Sequence, residues 1–468
     1  MRLASVFVLS VCLGLCAGML PAEEFAVGIA RVKITPEKPI RMSGYAARNK
    51  PSVGVLQDLW AKCLAIRDAE GHRLVILTTD LIGYNNEFST ELFTRAKEKY
   101  GLKREEILLT CSHTHSGPVV GKNLRVMYQF SPEEAETIRE YTAQLLDKLV
   151  MIIGQALENL QPAQLSVGHG KVGFAVNRRE KRGNTVVLGV NPEGPVDHDV
   201  PVIKVTSPDG TLRAVLFGYA CHCTTIGGNT GEDFYKIHGD YAGVAQAKIE
   251  EAHPGVTAMF TILCGGDQNP HPRGEIAYVQ QHGEALAAEV ERVLAGPMKA
   301  FRGPLHSVVD VAELEFRPHT REQFEQELEK ALAAKDVYRE RRARHMLELY
   351  DAGKPIRTVA VPIQAIRFDE SLTLVAIGGE VCVEYALRLK KEFPQEDLVV
   401  VGYANDVMCY IPSKNVLLGG GYEPEYSMIY YGMPGPFAEN VEETLIAALH
   451  RLLGKVGLHP VTHQARAD

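Results

Sequence analysis

The chain has 468 residues, with 50 Lys and Arg against 58 Asp and Glu for a formal net charge of -8, and 46% of its residues are hydrophobic. With 23% charged residues and a mildly acidic balance, it has neither the basic footprint of a nucleic-acid binder nor the composition of a disordered chain. No run of about 18 apolar residues occurs beyond the extreme N-terminus, so no internal membrane span is expected.

The first 22 residues open with Arg2, run apolar from Leu3 to Leu20 and end at Leu20-Pro21-Ala22 before Glu23-Glu24, the pattern of a secretory signal peptide. An exported protein is therefore expected, in the periplasm, at the cell surface or in the medium. Cys16 follows Leu13-Gly14-Leu15, which has the leucine of a lipid-anchoring site but a bulky residue where a small one is wanted. Seven cysteines lie beyond it. They sit inside apolar runs or beside polar motifs, not at framework spacings, and read as small buried thiols.

From there β-branched runs alternate with amphipathic stretches, the pattern of a layered α/β protein with mixed sheets flanked by helices. Strands are expected over 25–34, 59–67 and 73–79, then a helix over 87–99 and a strand over 106–111. That strand opens into Cys111-Ser112-His113-Thr114-His115-Ser116-Gly117-Pro118, where two histidines one residue apart can serve as metal ligands, as acid–base groups or only as hydrogen-bonded turn residues. A helix over 133–160 and strands over 163–172, 202–206 and 213–219 follow. The last leads to Ala220-Cys221-His222-Cys223, a second imidazole at a strand end; alternation turns the two thiols to one face and His222 to the other.

Asp240 stands where it can cap a helix over 241–252. The strand over 257–264 runs into Gly265-Gly266-Asp267-Gln268-Asn269-Pro270, a turn crowded with polar groups. A helix over 275–295 and a strand over 305–316 lead to the charged stretch 321–347, expected as one long surface helix. Strands over 357–367 and 372–378 precede Glu380, a helix over 383–393 and a strand over 398–403. Tyr410 and Tyr422-Glu423 come next, before a closing helix over 438–453. No linker is long enough to separate domains, so one catalytic-type domain over 23–457 and a tail over 458–468 are expected.

In series these segments resemble the neutral, non-lysosomal ceramidase family, specifically its zinc-bearing N-terminal catalytic domain. The likeness runs from Val27-Gly28-Ile29-Ala30 and Ser43-Gly44-Tyr45-Ala46, through Thr79-Asp80 and the string from His113 to Pro118, to Tyr410 and Tyr422-Glu423. The resemblance implies one Zn2+ per chain, held by His113, His222, Glu380 and Tyr410. It implies hydrolysis of an N-acyl amide in a lipid or small molecule of the ceramide kind, by zinc-activated water. His115, Arg178, Asn269 and Tyr422 fall at its catalytic positions, with Asn177 and Asp267 lining the substrate pocket. Arg179 and Arg182 stand close to Arg178, and spacing does not choose among them.

Two departures stand out. The family segment Gly-Asp-Val-Ser-Pro-Asn carries a serine proposed as nucleophile, and here Asn269 takes its position; a carboxamide cannot attack as a hydroxyl does. Family ceramidases also add a C-terminal immunoglobulin-like domain, for which this sequence leaves no room. Trp60 is the single Trp and no basic amphipathic helix is evident, so nothing independent points to docking on a bilayer. The expectation is an exported zinc amidohydrolase. Its rivals are a zinc hydrolase of an ester or glycan-derived substrate on the same scaffold, and a non-catalytic envelope protein that binds a metal or ligand.

Overall fold

The computed structural model describes residues 25–461; the expected signal peptide, Cys16 and the end of the tail lie outside the described residues. Two sheets stack face to face. The larger has nine strands, eight of them in the spatial order Thr257–Ile262, Leu212–Tyr219, Asp199–Thr206, Gln161–Lys171, Phe25–Lys33, Trp60–Asp68, Arg73–Thr79, Ile107–Leu109. The smaller is ordered Leu305–Glu315, Thr358–Phe368, Leu372–Ile377, Leu398–Val401. Both are mixed, with parallel pairing at both ends of the larger sheet and at one end of the smaller, and antiparallel ladders elsewhere.

Side-chain alternation explains the layering. In Trp60–Asp68, Leu64 and Ile66 join an inter-sheet core that includes Leu108, Leu216, Phe368, Leu374 and Val399, whereas Cys63 and Ala65 turn to the helix-covered face. On that face lie Pro132–Glu158, Asp240–Ala252 and Ile276–Leu294, and on the far side of the smaller sheet lie Glu384–Glu392 and Val441–Gly454. Gly28 lets the helix Pro132–Glu158 approach the sheet closely: a Cβ there would stand 1.8 Å from the carbonyl oxygen of Ala156.

Most of the expected elements are present, with three differences. The stretch expected as one helix over 321–347 is a helical hairpin, Arg321–Ala334 and Val337–Asp351. Lys335 takes a left-handed conformation (φ 53°) and Asp336 accepts from the Arg339 N–H, so the chain stops one helix and caps the next within two residues. A hairpin, Ala175–Arg182 and Thr185–Asn191, went unforeseen; its short Gly183-Asn184 turn sits in a charged stretch whose hydrophobic alternation is weak. It forms a third small sheet with Gln268–Pro270. Asp240, expected to cap its helix, is instead its first residue, with φ 55°. Its carboxylate ties down Thr225 and Ile226 through their backbone N–H groups and so anchors the loop after His222.

A candidate metal centre at the strand ends

Parallel strands deliver side chains to one edge of the molecule, at their carboxyl ends. Ile107–Leu109 leads to His113 and His115, Leu212–Tyr219 to His222, Thr257–Ile262 to Asp267 and Asn269, Leu372–Ile377 to Glu380, and Leu398–Val401 to Tyr403 and Tyr410. The edge is stitched by backbone bonds between the two sheets. Asn405 N–H donates to the Leu109 carbonyl at 2.8 Å, and Gly266 N–H to the Val381 carbonyl at 2.9 Å. Glu380 and Tyr410 are register partners in a short parallel pair, which joins residues 30 positions apart. Thr114 bridges Cys223 in the same manner, and so brings the two histidine segments together.

The donor atoms converge. His222 Nε2 lies 3.1 Å from Glu380 Oε2 and 3.1 Å from Tyr410 Oη, and His113 Nε2 lies 3.3 Å from Glu380 Oε2. His115 Nε2 is 3.1 Å from His113 Nε2, and one ligand atom from each of the three histidines falls within 4.8 Å of the others. Each ring is held from behind by a backbone carbonyl: His113 Nδ1 at 2.6 Å from Ile82 O, His115 Nδ1 at 3.1 Å from Gly44 O, and His222 Nδ1 at 2.8 Å from Gly265 O. A carbonyl only accepts, so the Nδ1 atoms carry the protons and a neutral ring turns its Nε2 lone pair inward. Burial lowers His222 to about 3, and burial with the neighbouring imidazoles drives His115 well below its usual value.

Several lone pairs directed at one point, beside a carboxylate, repel each other unless a cation sits among them. Burial opposes ionisation of Glu380, so its carboxylate form calls for positive charge at the point where the imidazole nitrogens converge. Its other oxygen accepts from the Tyr431 hydroxyl. His113 (φ 58°) and Tyr403 (φ 55°) are left-handed residues that are not glycine, a backbone cost concentrated at this edge. The donor set of imidazole, carboxylate and phenol fits a metal ion. The seven described cysteines are buried thiols free of disulfides, and none belongs to the histidine cluster.

The third sheet delivers the guanidinium. Gln268 pairs with Asn177 and Asn269 with Val176, which sets Arg178 beside Asn269. Of the three neighbouring arginines, Arg178 reaches the centre: its Nη2 donates to Tyr410 Oη at 3.0 Å and its Nη1 to Asn269 Oδ1 at 3.3 Å. A register shift between Asn177 and Arg179 turns Arg179 the same way, and both arginines pair with the buried carboxylate of Glu423. Arg182 is exposed and pairs with Glu180. Tyr422 is half-buried, its ring 5.6 Å from that of Tyr410 and 5.4 Å from the Arg178 guanidinium carbon.

Asn177 and Asp267 lie behind Arg178. Asn177 Nδ2 donates to Asp267 Oδ2 at 3.2 Å, and Asp267 Oδ1 accepts from Val383 N–H at 2.8 Å; burial raises Asp267 to about 6. Two contributors escaped the sequence reading, Tyr431 on Glu380 and Thr224, whose hydroxyl donates to Asn269, and Glu423, quoted there only beside Tyr422, turns out to stand between the arginines. Their partners lie 45 to 245 positions away, so no local spacing marks them.

The family model described as "Neutral/alkaline non-lysosomal ceramidase, N-terminal" matches residues 25–289, more than half of the chain. The chain belongs to the neutral/alkaline non-lysosomal ceramidase family. Neutral ceramidase A of Dictyostelium discoideum is 26% identical over 279 residues, covering 54% of this chain and 37% of its own length. Neutral ceramidase of Drosophila pseudoobscura pseudoobscura is 23% identical over 327 residues, covering 64% and 43%. The chain thus spans less than half the length of these curated relatives. In fold it matches the crystal structure of neutral ceramidase from Pseudomonas aeruginosa with a TM-score of 0.71 at 20% identity, over 95% of this chain and 76% of that one. A ceramidase complexed with C2 matches at 0.70 and 18%, over 95% and 77%. These likenesses bear out the mixed-sheet ceramidase-like fold expected from the sequence.

Proposed function

We propose that the chain is an exported, zinc-dependent amidohydrolase that cleaves an N-acyl amide of the ceramide kind. The observation that carries the reading is the convergence of His113, His222, Glu380 and Tyr410 donor atoms, with the imidazole Nε2 atoms turned inward by carbonyls behind each ring. Those four residues would hold the ion, one per chain, and family membership supports the same choice. When bound, zinc polarises a carbonyl and lowers the pKa of water toward neutrality.

The chain's own residues supply the remainder. Arg178 keeps Tyr410 oriented and, with one N–H left on each terminal nitrogen, adds positive potential where charge develops on a substrate oxygen. His115 is partly exposed, and its neutral Nε2 faces the centre, where it can take and return a proton. The Tyr422 hydroxyl stays protonated, since burial raises it, and is a donor for the same oxygen. The apolar run from Leu3 to Leu20 supports export. Among the described residues no helix is long and apolar enough to cross a membrane.

Elemental analysis of purified protein should find about one zinc per chain, lost in the double variant His113→Ala, His222→Ala. Metal-free wild type would sink the zinc reading. Fatty-acid release from short- and long-chain ceramides, simple N-acyl amides and matched esters tests the bond: activity on esters alone would overturn the amidase assignment.

A further inference from the structure

Asn269 is fixed in a way that determines which end of its amide meets a ligand. Its Oδ1 accepts from Arg178 Nη1 and from the Thr224 hydroxyl, both at 3.3 Å. A guanidinium has no acceptor, so a flipped amide would set its N–H groups against those of Arg178. Nδ2 is therefore turned away from both. Among the described residues it has no protein partner, it is not one of the sealed polar atoms, and the residue keeps 7% of its surface exposed. The same guanidinium bonds Tyr410 Oη at 3.0 Å, and that oxygen lies 3.1 Å from His222 Nε2. Asn269 thus stands one guanidinium away from the candidate metal centre.

We infer that Asn269 is a specificity-determining residue, whose Nδ2 donates to a substrate oxygen that has no proton to give, a carbonyl or carboxylate. The inference rests on the reading of the centre as one that takes a carbonyl substrate. A serine or threonine hydroxyl rotates and serves as donor or acceptor, whereas a carboxamide with its oxygen pinned can only donate. Thr224 spends its proton on that pinning. A substrate group presenting an N–H or an ammonium at this point meets only donors and is rejected, because both sides would lose their hydrogen bonds on burial.

Titration calorimetry with octanoate and octylammonium reads this without any turnover. Wild type should bind octanoate and not octylammonium. Asn269→Ala should weaken octanoate roughly 10-fold, and Asn269→Asp, of the same shape but without the donors, about 100-fold, with melting temperatures near wild type. Equal octanoate affinity in wild type and Asn269→Ala would overturn the inference, as would wild type that ignores octanoate or takes octylammonium as tightly. Asn269→Ala carries the test alone if the aspartate variant does not fold. Octanoate binding through Asn269 in a protein that cleaves no N-acyl amide would sink the amidase reading and leave this inference standing. Normal amidase kinetics in Asn269→Ala would do the reverse.

Discussion

At the scale of single residues, the most consequential group is one that touches no ligand atom. Glu423 is buried between Arg178 and Arg179, so one carboxylate compensates two guanidiniums that have left water. Breaking such an arrangement by removing one partner costs far more than the pair contributes net, because charge is left buried and uncompensated. Glu423→Gln should therefore lower unfolding stability by about 3–5 kcal/mol in urea titrations. Glutamine keeps a single acceptor oxygen, so one of the two arginines should also lose its bond at this position. A stability loss below about 1 kcal/mol would mean that water reaches this site and screens the arginines.

At the scale of elements, the packing of the larger sheet depends on how closely the helix Pro132–Glu158 sits on the strand Phe25–Lys33. Gly28 permits that approach, and the first atom a new Cβ would meet is backbone, which cannot rotate aside. Gly28→Ala should thus cost about 3 kcal/mol or more, read as a fall in the denaturation midpoint, although the residue lies far from any donor atom. Stability equal to wild type would show that the helix can retreat freely. The hairpin Ala175–Arg182 and Thr185–Asn191 has the opposite character: it buries few apolar side chains, yet it carries Arg178 and pairs with the strand that carries Asn269.

At the scale of the molecule, a charge cluster ties the two sheets together away from the centre. His169, in the larger sheet, bonds Asp199 at 2.8 Å and Asp397 at 2.9 Å, and Asp397 leads into the edge strand Leu398–Val401 of the smaller sheet. Burial opposes its charge, but the two carboxylates outweigh burial and raise it to about 9; Lys390 beside Asp197 and Asp199 stays charged across this range. Because the folded value lies above the ordinary 6.5, the stabilisation is fully present below about pH 6.5 and is lost as pH rises through 9. The gap in melting temperature between wild type and His169→Ala should be widest near pH 6 and close by about pH 10. A gap that grows with pH would contradict the assignment.

The composition and the alternating apolar runs determined a layered α/β chain, the strand-end motifs singled out His113, His115 and His222, and the resemblance to the ceramidase family added Glu380 and Tyr410 to them. These signals are local: a strand's burial pattern and the turn that follows it are written within about ten residues. The register that sets Glu380 beside Tyr410 is not local, nor is the choice of Arg178 over Arg179 and Arg182. Glu423, Tyr431 and Thr224 found their partners only when distant segments met. The split of the stretch 321–347 into two helices turned on a single left-handed residue in a sequence of good helix formers. The sequence could state which side chains were able to do chemistry. Packing two sheets so that their carboxyl ends share one edge decided which of them face each other, because a donor set is defined by distances across the fold, and distance along the chain carries no record of them.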